Sequence, residues 1–147
     1  MHVIGTCSRR SLFFISLLIL ISWSGSNSAG SLPPDVQISG TWDCSFSGTV
    51  QGKGTSQTDT LVMDLNQNGS RVTGTLRFNG LDVSFPVSGK VTGTKFTYIA
   101  KAIMGPNCEA AIEGEMTFDE RANEMTGSQT QTNCEGKAVG KVAAARR

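Results

Sequence analysis

Histidine is almost absent from this 147-residue chain, and its one copy, His2, stands at the extreme N-terminus. A chain without histidine beyond that point lacks the commonest general base and metal ligand, which excludes Ser-His and Cys-His catalysis and ordinary zinc enzymology. The four cysteines, Cys7, Cys44, Cys108 and Cys134, include no CxxC spacing, so a thiolate metal site has no support either. Basic residues form no block. The 13 Lys and Arg nearly balance the 12 Asp and Glu, which gives no electrostatic basis for nucleic-acid binding. Carboxylates are the remaining catalytic option, and Glu109, Glu113 and Glu115 do share one strand face by their alternate spacing. Parity turns that face toward solvent. The chain is expected to be no enzyme and to need no cofactor.

Long apolar runs are also missing, except one. Arg9 and Arg10 precede an almost unbroken apolar stretch from Leu12 to Trp23, followed by the small and polar residues Ser24 to Gly30. This is the layout of a secretory signal peptide. The run is shorter than the roughly 20 residues of a spanning helix, so no stable membrane span is expected after cleavage. Ser8-Arg9-Arg10-Ser11-Leu12-Phe13 is similar to a twin-arginine motif, although so apolar a core suits the general secretory route. No cysteine ends the run, which argues against a lipid anchor. The expected organisation is a signal at 1–29, an extended leader at 30–36 and a single domain at 37–147, secreted or periplasmic. Loss of Arg9 and Arg10 leaves 11 basic residues against 12 acidic ones, a formal charge of −1.

From Gln37 to Ala144 the pattern is period-two alternation, with no sustained helical period. Val72, Gly74, Leu76 and Phe78 fall on one face of a strand, and Arg71, Thr73, Thr75 and Arg77 on the other. Asn68-Gly69 and Asn79-Gly80 bracket it, supplying the positive φ angles of hairpin turns. Asn68-Gly69-Ser70 is formally a glycosylation sequon, but the turn accounts for it. Eight strands follow: Ile38 to Ser47, Thr58 to Asn66, Ser70 to Phe78, Leu81 to Val91, Lys95 to Ile103, Cys108 to Phe118, Glu124 to Gln131 and Glu135 to Ala144. Their inner face carries Trp42, Phe46, Leu61, Met63, Leu65, Val83, Phe85, Val87, Phe96, Tyr98, Ile112, Met116, Phe118, Met125 and Val142. The expected fold class is all-β, an eight-stranded antiparallel up-and-down barrel, with a β-sandwich as the alternative.

Asn107-Cys-Glu recurs as Asn133-Cys-Glu, and Gly114 answers Gly140 at the same spacing, one hairpin later. After signal removal three cysteines remain, which means one bridge and a leftover thiol, or an intermolecular bond. Cys108 with Cys134 is the expected pair, leaving Cys44 in the core. Strands two apart in a flat sheet stand roughly 9.5 Å from each other, beyond the roughly 7 Å limit for a disulfide, so this pair requires at least one cysteine in a loop. Gly105-Pro106-Asn107 and Thr132-Asn133 supply such loops.

Ile38-Ser39-Gly40-Thr41-Trp42 resembles the Gly-x-Trp signature that opens the first strand in the calycin superfamily, which includes lipocalins, avidins and bacterial metalloprotease inhibitors. The resemblance covers this motif, the basic C-terminus and the strand count; other lipocalin motifs and the C-terminal helix are missing. It implies that Trp42 seals one end of the barrel under Arg146 or Arg147, a cation-π arrangement. It also places function at the opposite end, where Asn68-Gly69, Gly105 to Cys108 and Thr132 to Cys134 are expected to gather.

Three roles compete on these grounds. A small apolar or amphipathic ligand inside the barrel would meet Phe85, Phe96, Tyr98, Gln129 and Gln131, with Gly74, Gly114, Gly127, Gly136, Ala138 and Gly140 leaving space. An extracellular protease would instead be inhibited by the leader, whose Ser31-Leu32-Pro33-Pro34-Asp35 resembles that of the metalloprotease inhibitors and is stiffened by proline. An envelope-associated interaction module is the third.

Overall fold

The structure, a computed structural model, describes residues 36–147; the expected signal and the leader up to residue 35 lie outside the described residues. Eight strands follow in chain order: β1 (Gly40–Val50), β2 (Ser56–Asn68), β3 (Arg71–Phe78), β4 (Ser84–Thr92), β5 (Lys95–Gly105), β6 (Cys108–Phe118), β7 (Glu124–Asn133) and β8 (Gly136–Arg146). Each pairs antiparallel with the next, and β1 pairs with β8 from Trp42 opposite Arg146 to Val50 opposite Ala138. The sheet is therefore a closed up-and-down barrel and not a sandwich, and closure leaves no unpaired edge.

Alternation decides which side chains fill it. In β1 Trp42, Cys44 and Phe46 are buried between exposed neighbours, and in β2 Leu61, Met63 and Leu65 continue the same inward row. Trp42, Met63, Leu76, Phe96 and Met116 are wholly enclosed. Val83 departs from the expected pattern. β4 begins at Ser84, not Leu81, because the chain leaving the Asn79-Gly80 turn runs irregularly through Leu81 to Val83, and Val83 packs only half-buried against the core. β1 likewise begins at Gly40, leaving Ile38 outside the ladder but fully buried.

Close backbone approach shapes the wall at Gly127 and Gly114. A Cβ on Gly127 would overlap the carbonyl oxygen of Glu115 on β6, and one on Gly114 would overlap the Tyr98 ring. These glycines are thus places where a neighbouring strand or ring fills the position of a side chain, rather than empty space.

Turns alternate between the two ends. The Asn79-Gly80 turn, Pro106-Asn107 and Cys134-Glu135 lie at the end opposite Trp42. Asn68-Gly69 does not join them, since the β2–β3 turn falls at the Trp42 end by the strict alternation of a meander. Gly69 there has φ 59°, as the turn requires.

Candidate functional site

The Trp42 end is closed by polar contacts laid over a buried plug. Trp42 Nε1 donates to the Ile38 carbonyl at 2.9 Å, and the Arg146 guanidinium lies 4.9 Å from the indole centroid. Arg146 also donates through Nη2 to the Gln37 carbonyl. Gln67, buried on β2, accepts from Ile38 N at 2.9 Å through Oε1 and donates to Gly69 O at 2.9 Å through Nε2. Arg147 takes no part over the ring. Its guanidinium turns outward onto the Asp43 carboxylate, with Nη2 2.7 Å from Oδ1. That hydrogen-bonded cation holds the exposed Asp43 carboxyl below the usual carboxylate range.

The opposite end holds a cavity of about 250 Å³. Phe78, Phe85 and Ile112 form an apolar wall, while Gln57, Asp59 and Gln131 form a polar strip facing the same space. Gln57 Nε2 donates to Asp59 Oδ2 at 2.7 Å and to Gln131 Oε1 at 3.0 Å. Since β1 and β8 stand between β2 and β7, the second bond crosses the interior. It does so beside Gly48 and Gly140, which pair with each other and carry no side chain to obstruct it. Gln131 Nε2 is buried and has no hydrogen-bond partner among the described residues. Leu81 and Met104, both exposed, and the exposed Lys53, Lys137 and Glu135 ring the mouth.

A disulfide braces this rim. Cys108 and Cys134 are bonded with their Cα atoms 5.6 Å apart, leaving Cys44, buried, as the free cysteine among the described residues. Cys134 sits in the turn just beyond β7, which is the direct neighbour of β6, and so the two-strand gap does not arise. Such a bridge is compatible with an oxidising compartment.

Of the ligand-lining residues expected from sequence, Phe85 and Gln131 border the cavity. Phe96, Tyr98 and Gln129 do not, because they pack together nearer the closed end. The Tyr98 hydroxyl donates to Gln129 Oε1 at 2.6 Å, and the Phe96 and Tyr98 rings stack at 5.1 Å. Burial pushes the Tyr98 phenol above its ordinary value, with the Cys44 thiol adding to the shift. Tyr98 and Gln129 instead border a shallow depression in the outer wall around Gly114, beside Glu113 and Glu115. Gly136 is at the cavity mouth and exposed, not inside.

Sequence reasoning overlooked Gln57 and Asp59. Their signal was parity: counting back in twos from Leu61 places Asp59 and then Gln57 on the inner face, but a strand begun at Thr58 and searched for apolar residues passes over both. Among the described residues no cluster of three or more His, Cys, Asp or Glu is arranged to hold a metal, and no helix is long and apolar enough to cross a membrane.

A closed eight-stranded antiparallel barrel with a tryptophan and an arginine at one end and a cavity at the other is compatible with a calycin-like fold. No family model and no curated protein matches the sequence. Among solved structures the chain is similar to a protein of unknown function from the DUF3598 family of Nostoc punctiforme, at 9% identity and a TM-score of 0.45. The match covers 76% of this chain and 49% of that one, so this chain spans about half the length of its neighbour.

Proposed function

We propose that the protein is an exported, non-enzymatic barrel that binds a small amphipathic molecule at the end opposite Trp42. The observation that carries this reading is the cavity of about 250 Å³ in which an apolar wall faces a polar strip containing a buried, unpartnered amide donor, Gln131 Nε2. A buried donor without a partner costs about 1–3 kcal/mol. A ligand oxygen that accepts from it recovers that cost, while the apolar body of the ligand displaces water from Phe78, Phe85 and Ile112. The apolar Leu81 and Met104 at the mouth suit passage of such a molecule.

The test is a cavity-filling variant. Ala138, buried on β8, borders the cavity, and Ala138→Phe places a ring in it. Thermal-shift screening of small aromatic and aliphatic alcohols, amides and amines is expected to raise the melting temperature of the native protein and to leave that of Ala138→Phe unmoved. Equal shifts in both proteins, or none in either, count against the reading.

A further inference from the structure

We infer that the cavity selects a small arylalkylamine bearing a hydroxyl or carbonyl oxygen on the carbon next to the one that carries its ammonium, with the ammonium held by Asp59 and the oxygen accepting from Gln131 Nε2. This inference rests on the ligand-binding reading above and specifies the chemistry of the ligand.

The polar strip is unequal in its donors and acceptors. Gln57 commits its Nε2 to Asp59 Oδ2 and to Gln131 Oε1, so its remaining side-chain polar atom is an acceptor. Asp59 is half-buried and contributes a carboxylate, and among the described residues no cation lies within ion-pair distance of it. Against these acceptors stands one unpartnered donor, Gln131 Nε2. A ligand matching that set offers several N–H donors and one accepting oxygen, which describes an ammonium with a neighbouring hydroxyl or carbonyl.

The cations bordering the cavity do not reverse this preference. Lys53 and Lys137 are exposed at the mouth, where Glu135 stands with them, whereas Asp59 lies inside the wall. An anionic head group carried inward would meet a carboxylate; one left at the mouth would meet only solvated charges, which contribute little. An ammonium carried inward gains a charge-assisted hydrogen bond.

The apolar side of the cavity sets the body of the ligand. Phe78 and Phe85 meet edge to face, with centroids 5.6 Å apart, and both border the cavity. Their rings can receive an aromatic ring and also stabilise a nearby cation. An apolar cavity of ~150 Å³ takes benzene. At about 250 Å³ this one has room for a benzene ring and a few further heavy atoms, and too little for a long acyl chain.

Three probes that share a phenyl ring and a benzylic hydroxyl separate the alternatives: 2-amino-1-phenylethanol, its neutral counterpart 1-phenylpropan-1-ol, and the anion mandelate. In isothermal titration calorimetry of the protein expressed as the full chain, the amine is expected to bind at least about tenfold more tightly than the alcohol, with mandelate weakest. Asp59→Asn should bring the amine to the level of the alcohol and leave the alcohol unchanged. Gln131→Leu should weaken amine and alcohol alike, because both present the accepting oxygen. Equal binding of amine and alcohol, or tightest binding of mandelate, overturns the amine selectivity while leaving the cavity a ligand site. Loss of alcohol binding in Asp59→Asn overturns it too, since the carboxylate then only shapes the cavity. No binding of any probe overturns both the selectivity and the reading on which it rests.

Discussion

Arg146 lies across the Trp42 indole, 4.9 Å from its centroid, at the point where the first and last strands pair residue against residue. The same ring donates to Ile38, and the same guanidinium donates to Gln37, so the residues before β1, the start of β1 and the end of β8 are tied at one place. Truncating the ring therefore opens the barrel end as well as leaving a cavity. Trp42→Ala is expected to cost about 3–5 kcal/mol, and Arg146→Ala about 1–2 kcal/mol through the lost cation-π contact and hydrogen bond. Arg147→Ala should change little, because its partner Asp43 is exposed. Urea denaturation midpoints check the order; an Arg147→Ala cost equal to that of Arg146→Ala would contradict the assignment of the cap to Arg146.

Cys44 is enclosed by the barrel, and burial pushes its thiol from the ordinary 9.0 up to about 12. In the unfolded chain the same thiol ionises near its ordinary value. Its proton is therefore held more tightly in the folded state, and its contribution to stability is complete below pH 9 and declines as pH rises from 9 toward 12. In the chain without the expected signal and its Cys7, a thiol reagent at pH 8 should find no reactive group in the folded protein and one per chain in guanidinium chloride, with the Cys108–Cys134 bridge intact. Replacement by alanine should lessen the alkaline loss of stability. Rapid labelling of the native protein would show that Cys44 is accessible.

Much of this architecture could be read from local pattern. Asn-Gly pairs bracketing Arg71 to Phe78 mark a hairpin meander, because only a few residues accept the required backbone angles, and the recurrence of Asn-Cys-Glu one hairpin later places both cysteines at one end. The end at which a turn lies is different information. It follows from counting strands from Trp42, and the residues of Asn68-Gly69 carry no trace of it. The site was still less legible. Gln57 and Asp59 are polar at inward positions, which is where alternation of apolar and polar residues loses its meaning. Whether Tyr98 lines a cavity or lies beneath one depends on its stacking with Phe96, two residues away on β5, and on the hydrogen bond it donates to Gln129, which joins strands distant in sequence.

Gly127 gives the sharpest test of the closed wall. On an inward-facing position of β7 an alanine ordinarily costs little, yet here the added methyl would overlap the carbonyl of Glu115, whose strand is held in register with β7 from Ala111 to Phe118. Relief requires moving backbone, and backbone in a closed barrel cannot move without disturbing the ladders on both sides. Gly127→Ala is expected to lose about 3 kcal/mol or more, or to fail to fold. Gly105→Ala is the control, since a Cβ there meets nothing and the backbone is not left-handed, so it should be neutral within about 0.5 kcal/mol. Equal stability of the two variants by chemical denaturation would mean that β6 and β7 stand further apart at Gly127 than this barrel places them.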